Sequence, residues 1–353
     1  MKIKLAILEA DESYLNRIVS VFTVKYADKF ELYSFNNPEA ALAALKPAKI
    51  DVFLANDLFD IPVSALPERC GFAYFADSAD IDMIRNQKAI GKFQKAELIY
   101  KQILDLYSEK AGSLFELRSE NGGARVILFD SVSGGAGASS MAAACALHFA
   151  LQKKRTLYLN LEKFGSSDLF FTAEGQFDIS DIIYALKSRK ANLSIKLESC
   201  VKQDQRGVCF YSQPKIALDM LELTCDEIVR LILEIKTAGS YDYVIADTNF
   251  SMHRNFIEAY RQASSVVWVS DGSEISNDKI LRAYKALLAL DQGGDWQLQD
   301  KILLVYNKFS NKTGRTLENA GIKSIGGAPR YEHADINQIL DRLSRMDIFQ
   351  KLV

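Results

Sequence analysis

The residues with the clearest chemical potential lie between Arg125 and Ala150, in RVILFDSVSGGAGASSMAAACALHFA. An apolar, β-branched run stops at Asp130, a loop carries Gly134, Gly135 and Gly137, and Ser139 and Ser140 open an Ala-rich segment with helical propensity. Strand, glycine loop and helix in that order can turn backbone N–H groups into one concavity at the positive end of a helix dipole. The chemistry this serves is the holding of a polyphosphate, largely by main chain. In the usual G-x-x-x-x-G-K-[ST] loop a lysine precedes the hydroxyl residue, and here that place is Ala138. Gly134, Gly135, Ala136, Gly137, Ala138, Ser139 and Ser140 therefore retain a cradle without its ammonium. A glycine loop can also be a plain turn that packs a helix closely against a strand, so the phosphate reading needs partners elsewhere in the chain.

Those partners are polar residues at the ends of other strand-like runs. YDYVIAD ends on Asp247, RTLYLNLE on Asn160 and Glu162, and ILLVYN on Asn307. A loop hydroxyl and a strand-end carboxylate, Ser139 and Asp247, are the groups that would hold Mg²⁺ beside bound phosphates. His148, His253 and His333 are dispersed, and no Ser-His-Asp or Cys-His arrangement is suggested. Cysteines 70, 145, 200, 209 and 225 form no C-x-x-C pair, which points to reduced thiols and away from a zinc site.

Two doubly wound parallel-sheet α/β domains are expected to position these groups. Residues 1–108 alternate short apolar runs (Lys4–Leu8, Phe30–Phe35, Val52–Ala55, Phe72–Phe75 and Ala89–Lys92) with helical patterns, closing on Ala96–Tyr107. Residues 109–123 mix charge, Ser and Gly without a period and read as a linker, which Leu114, Phe115 and Leu117 could tack onto one domain. Residues 124–353 resume the alternation with longer units. At 353 residues, 48% hydrophobic and 25% charged, with net charge −2, the chain is an ordinary globular protein with no electrostatic reason to bind nucleic acid. No run approaches ~18 apolar residues and the N-terminus turns acidic early, so a cytoplasmic protein without stable membrane insertion is expected. The C-terminal pattern Ile336, Ile339, Leu340, Leu343 and Met346 has balanced charges and reads as a helix closing the sheet.

The first domain resembles a bacterial response-regulator receiver, a flavodoxin-like fold. The resemblance places Glu9 at the acidic pair, Asn56 at the phospho-acceptor aspartate, Ala76 at the hydroxyl switch and Lys92 at the strand-five lysine. Asn56 offers no carboxylate nucleophile, and Asp57, one place on, belongs to the opposite side of a continued strand. A receiver scaffold that cannot be phosphorylated is the expectation. The second domain resembles the ParA and MinD ATPases, whose deviant loop reads K-G-G-x-G-K-[ST]-[ST]. Ser133 and Ala138 stand at its two lysines, Asn160 and Glu162 at its D-x-D acids, Asp247 at its Walker B aspartate and Asn307 at its adenine-contacting asparagine.

The pairing of the two domains resembles the TadZ/CpaE proteins of tight-adherence, type IVb-like pilus assembly. That resemblance implies a homodimeric factor that binds ATP or ADP with Mg²⁺, hydrolyses it weakly or not at all, and works with proteins of the pilus secretion machine. It also implies recruitment to the cell pole or the inner membrane face. The alternative is an active ParA/MinD-type positioning ATPase that borrows a catalytic group, such as Lys163 or Arg330, from its partner subunit. A third reading is an interaction protein whose loop stays empty.

Overall fold

The computed structural model describes residues 2–78, 80–110, 123–188, 192–291, 297–318 and 320–352. Most of the expected linker, with Leu114, Phe115 and Leu117, lies outside the described residues. The chain divides into two compact units, one of Met1–Glu116 with Ser188–Ser199, the other of Leu117–Lys187 with Cys200–Val353.

The first unit runs β1 (Ile3–Leu8), α1 (Glu12–Lys25), β2 (Phe30–Phe35), α2 (Pro38–Ala48), β3 (Val52–Asn56), β4 (Gly71–Ala76), β5 (Met83–Ile84), β6 (Gln87–Gly91) and α3 (Ala96–Lys110). Its sheet has the order β2-β1-β3-β4-β6-β5, parallel except for the β5–β6 hairpin. Alternate strand residues feed two cores. Leu5, Ile7, Val52, Leu54 and Phe75 pack with Leu15, Ile18, Phe22, Ile99 and Ile103 of α1 and α3. Ala6, Leu8, Phe53, Ala55 and Tyr74 pack with Ala41 and Leu45 of α2. Local chemistry starts these helices: Asp11 and Asn37 accept from the N–H groups of Tyr14 and Ala40, and Pro38 opens α2 where its missing donor costs nothing.

Among the described residues no α-helix stands between β3 and β4 or between β4 and β6, where the receiver pattern leads one to expect them. Pro62 and Pro67 interrupt the first connection, and the second, with Asp77, Asp80 and Asp82, lacks an apolar face to bury. Ile195, from the later segment Ser188–Ser199, joins the α1/α3 core, and Lys196 pairs there with buried Asp105.

The rest of the chain contributes β7 (Arg125–Asp130), α4 (Ala138–Leu151), β8 (Thr156–Asn160), α5 (Ile179–Ser188), α6 (Leu193–Cys200), β9 (Lys202–Gln203), β10 (Val208–Phe210), α7 (Leu218–Leu221), α8 (Cys225–Thr237) and β11 (Tyr243–Asp247). It ends with α9 (Arg254–Gln262), β12 (Ser265–Ser270), α10 (Glu274–Leu290), α11 (Leu298–Lys301), β13 (Ile302–Phe309), β14 (Lys323–Pro329) and α12 (Ile336–Ser344). All of these but α6 build the second unit, since α6 is the segment that clusters with the first. The sheet order is β14-β13-β12-β7-β11-β8-β10-β9, parallel but for β9. Both side-chain parities of its strands are buried, with Ile127, Phe129 and Ile245 on one face and Val126, Leu128 and Val244 on the other, so both faces are covered.

Helix α4 is buried on all sides from Met141 to Phe149 except for a trace of His148. Its alanines allow close approach to the sheet on one side and to Leu340 and Leu343 of α12 on the other. The His148 Nδ1 lies 2.7 Å from the carbonyl of Ser344 and fastens the two helices. The apolar side of the C-terminal helix is thereby used inside the fold, as its charge pattern suggests.

Candidate functional site

In the second unit, parallel register brings three strand ends to one rim. Asp247 pairs with Phe129 of β7 on one side and with Asn160 of β8 on the other, and β7 runs directly into the glycine loop. Gly134, Gly135 and Gly137 all have left-handed backbone, with φ of +72°, +68° and +85°. Gly137 is the demanding position, because a Cβ there would sit 2.5 Å from Nδ2 of Asn307. Around Gly134 and Gly135 there is open space where side chains would otherwise stand. Ala136 and Ala138 are buried beneath the loop, and Ser139 and Ser140 are half-buried in the first turn of α4.

The loop is tied down from other elements. Asn307 donates to the carbonyl of Ala136 at 2.9 Å, and the neighbouring Lys308 donates to that of Gly135 at 2.9 Å. Ser133, at the first lysine position, turns instead toward Ser276 of α10 at 2.9 Å.

Beneath the start of α4 lies an acidic corner. Ser139 donates to Glu162 at 3.0 Å and also eases the charge on Asp247. Asp247 is fully buried, and its Oδ2 accepts from Tyr158 at 2.8 Å and weakly from Asn160 at 3.4 Å. Its Oδ1 accepts no well-directed hydrogen bond. Burial, and then the charge of Glu162, push the Asp247 carboxyl well above the usual carboxylate range. Glu162 in turn is held by its backbone N–H, which donates to Asn160 Oδ1 at 3.0 Å. Gly165 is needed here too, since a Cβ would lie 2.1 Å from the same Oδ1.

An orphaned carboxylate oxygen, a hydroxyl and a second carboxylate form a donor set suited to a hard divalent cation such as Mg²⁺, which keeps few protein ligands and takes the rest from water and phosphate. Ser139 and Asp247 would be the groups to hold it. Among the described residues no cluster of three or more His, Cys, Asp or Glu is placed to hold a metal ion. A further carboxylate, Asp130, lies fully buried at the end of β7. It accepts from the hydroxyls of Thr248 and, at 2.5 Å, Tyr260. Burial lifts its pKa to about 6, against the pull of those two hydroxyls and with some help from Glu162.

Sequence reasoning brought Ser139, Asn160, Glu162, Asp247 and Asn307 to this rim, and the structure gathers them there. It missed Asp130, Tyr158, Thr248, Tyr260 and Lys308. Asp130 and Lys308 are visible only as polar residues at the ends of β-branched runs and Thr248 only as the hydroxyl residue after Asp247, while the two tyrosines carry no sequence signal.

The first unit brings Glu9, Asn56 and Lys92 together at the ends of β1, β3 and β6. Glu9 is fully buried, accepts from Asn56 Nδ2 and from the N–H groups of Ala10 (2.8 Å) and Asp11 (3.0 Å), and pairs with Lys92 Nζ at 3.1 Å. Lys92 also reaches Asp77 at 2.9 Å, while Tyr14 donates to its carbonyl at 3.0 Å. Asp57 lies past the end of β3 in a turn, where its carbonyl accepts from Arg85. Where a receiver has a nucleophilic carboxylate, this site has an amide engaged with Glu9, whose charge Lys92 already neutralises.

Comparison with known proteins bears on both units. Residues 1–108 match the family described as TadZ-like, receiver domain. No curated protein matches the sequence. Among solved structures, the chain is similar to a ParA family ATPase from Chlorobium tepidum TLS (20% identity over 66% of this chain and 97% of that one, TM-score 0.49). It is also similar to the MinC:MinD cell division protein complex of Aquifex aeolicus (18% identity, 65% and 96%, TM-score 0.49). A third is the septum site-determining protein MinD complexed with Mg-ADP from Pyrococcus horikoshii OT3 (14% identity, 63% and 94%, TM-score 0.47). Residues 1–108 thus match a TadZ-like receiver domain, and the second unit is a mostly parallel α/β domain with a glycine loop between β7 and α4.

Proposed function

We propose that this protein is a nucleotide-binding localisation and assembly factor of a tight-adherence, type IVb-like pilus secretion machine, working as a homodimer that holds ATP or ADP with Mg²⁺ and turns it over very slowly. The observation that carries this reading is the contrast within one site. An open glycine cradle and an acidic corner with an orphaned Asp247 oxygen stand beside an alanine where phosphoryl transfer needs a lysine. Main-chain donors and the cation corner suffice for binding. With no ammonium at Ala138, and with Asn160 in place of a carboxylate that could orient water, the developing charge of the transition state is poorly met. One lost electrostatic donor of this kind costs on the order of 10²–10³ in rate. The receiver unit serves as a fixed scaffold, since Asn56 cannot accept a phosphoryl group. The protein acts in the cytoplasm and is recruited to the pole or the inner membrane face by partners, and among its described residues no helix is long and apolar enough to cross a membrane.

The test is to purify the full chain, identify any co-purifying nucleotide by mass spectrometry, and measure Mg²⁺-dependent ATP binding and turnover. Retained or readily bound nucleotide with negligible turnover supports the reading; turnover at the pace of MinD-type enzymes refutes it. That second outcome would favour an active ATPase completed in trans. One feature suits such an enzyme: Lys163 is exposed beside Glu162, next to Phe164 at 78% exposure, where a second copy could meet it. Turnover that rises with protein concentration and collapses in Lys163→Ala would identify that case, and Arg330→Ala is its companion test.

A further inference from the structure

The loop has lost its own lysine, but another lysine reaches it. Strand β13 is buried through Asn307, and its pairing with β14 slips between Leu304 and Val305 and again between Tyr306 and Phe309. At the second slip Lys308 takes a left-handed backbone, φ +54°. In a regular strand consecutive side chains point to opposite faces, so Asn307 and Lys308 could not both touch the loop. The bulge re-aims the second of them. As a result Asn307 binds the carbonyl of Ala136 and Lys308 Nζ that of Gly135, both at 2.9 Å. A non-glycine residue in this backbone region is uncommon, and at Lys308 it accompanies the slip in pairing. The consequence here is an exposed ammonium laid against the phosphate loop, beside the open space at Gly134 and Gly135.

We infer that Lys308 replaces the absent loop lysine as the counter-charge for the β- and γ-phosphates of a bound nucleotide. This rests on the nucleotide-binding reading above. A neutral carbonyl is a modest partner for an ammonium with three donors, and a phosphate oxygen is a stronger one. On ligand binding the Lys308 ammonium exchanges the Gly135 carbonyl for phosphate oxygens. Because it comes from a neighbouring strand on a flexible stem, it adds affinity for a polyphosphate tail without being clamped in the loop, which suits retention better than turnover.

The experiment is calorimetric titration of the full chain with AMP, ADP and ATP in Mg²⁺, for wild type, Lys308→Met, Lys308→Arg and the double variant Lys308→Met with Ala138→Lys. Lys308→Met should weaken ADP and ATP by about 10- to 100-fold, the scale of a lost charged hydrogen bond, and AMP by less than about 3-fold. Lys308→Arg should stay near wild type, and the double variant should recover most of the loss. If Lys308→Met binds all three nucleotides as wild type does, the inference fails while the nucleotide-binding reading stands. An equal loss for AMP and ATP would also overturn it, because Lys308 would then merely brace the loop. If wild type binds none of the three at millimolar ligand, both fall together.

Discussion

Replacing Asp130 with asparagine should make the second unit less sensitive to alkaline pH. The carboxyl is fully buried, its pKa is raised from 3.8 to about 6, and burial is the main cause. A carboxyl whose folded value lies above its unfolded value favours the protonated state in the fold. Its contribution is complete below the unfolded value and is lost as pH rises through the folded one. The difference corresponds to about 3 kcal/mol in all, of which about 1.4 kcal/mol falls between pH 5 and pH 8. Asp130→Asn keeps the shape and one carbonyl acceptor for the hydroxyls of Thr248 and Tyr260, and it cannot ionise. Trp268 is a suitable reporter, since it pairs with Asp130 across β12 and β7 and is fully buried. Urea unfolding followed by its fluorescence at pH 5, 6, 7 and 8 should show wild type losing about 1.4 kcal/mol relative to the variant over that range. Parallel profiles would refute the reasoning and mean that water or a cation reaches Asp130 in the native protein.

Three further outcomes are expected. Asp247→Asn should abolish the Mg²⁺-dependent part of nucleotide affinity, and in wild type that part should grow from pH 5 to pH 8, because a cation must displace the proton that burial and Glu162 keep on Asp247; calorimetry at the two pH values checks both. Lys92→Met should destabilise the first unit by about 3–5 kcal/mol by leaving Glu9 buried without its partner, whereas Lys92→Met with Glu9→Gln should cost clearly less; thermal melts of the two variants decide. Wild type should take no label from acetyl phosphate, while Asn56→Asp should place two carboxylates together and acquire a Mg²⁺-dependent rise in melting temperature that wild type lacks.

The strands were largely legible because apolar, β-branched runs ending on polar residues mark parallel strands and their carboxyl ends alike. Arg125–Asp130 and Tyr243–Asp247 could be bounded to the residue for that reason. The loop was legible because glycines clustered between a strand and a helix either turn the backbone sharply or open a concavity, and both happen at Gly134, Gly135 and Gly137. What escaped was whatever depends on contacts far apart in the chain. Asp130 meets Thr248 and Tyr260 across more than a hundred residues, and no local pattern announces that. Lys308 drew no reading from the sequence, since a bulge one residue wide leaves no trace in alternation. The β5–β6 hairpin was hidden in the same way, its first strand being only Met83–Ile84 and its turn using left-handed Arg85 and Asn86 instead of glycine.

The segment Ser188–Ser199 makes the two units less separable than a single hinge would suggest. The backbone leaves the first unit, builds part of the second, comes back to deliver Ile195 to the α1/α3 core and Lys196 to Asp105, and departs again. A fragment ending near residue 108 would therefore lack a plug for its own interior. Helix α5 and strand β9 bracket the returning stretch, so the backbone passes between the units at more than one place and is not a single thread with one crossing.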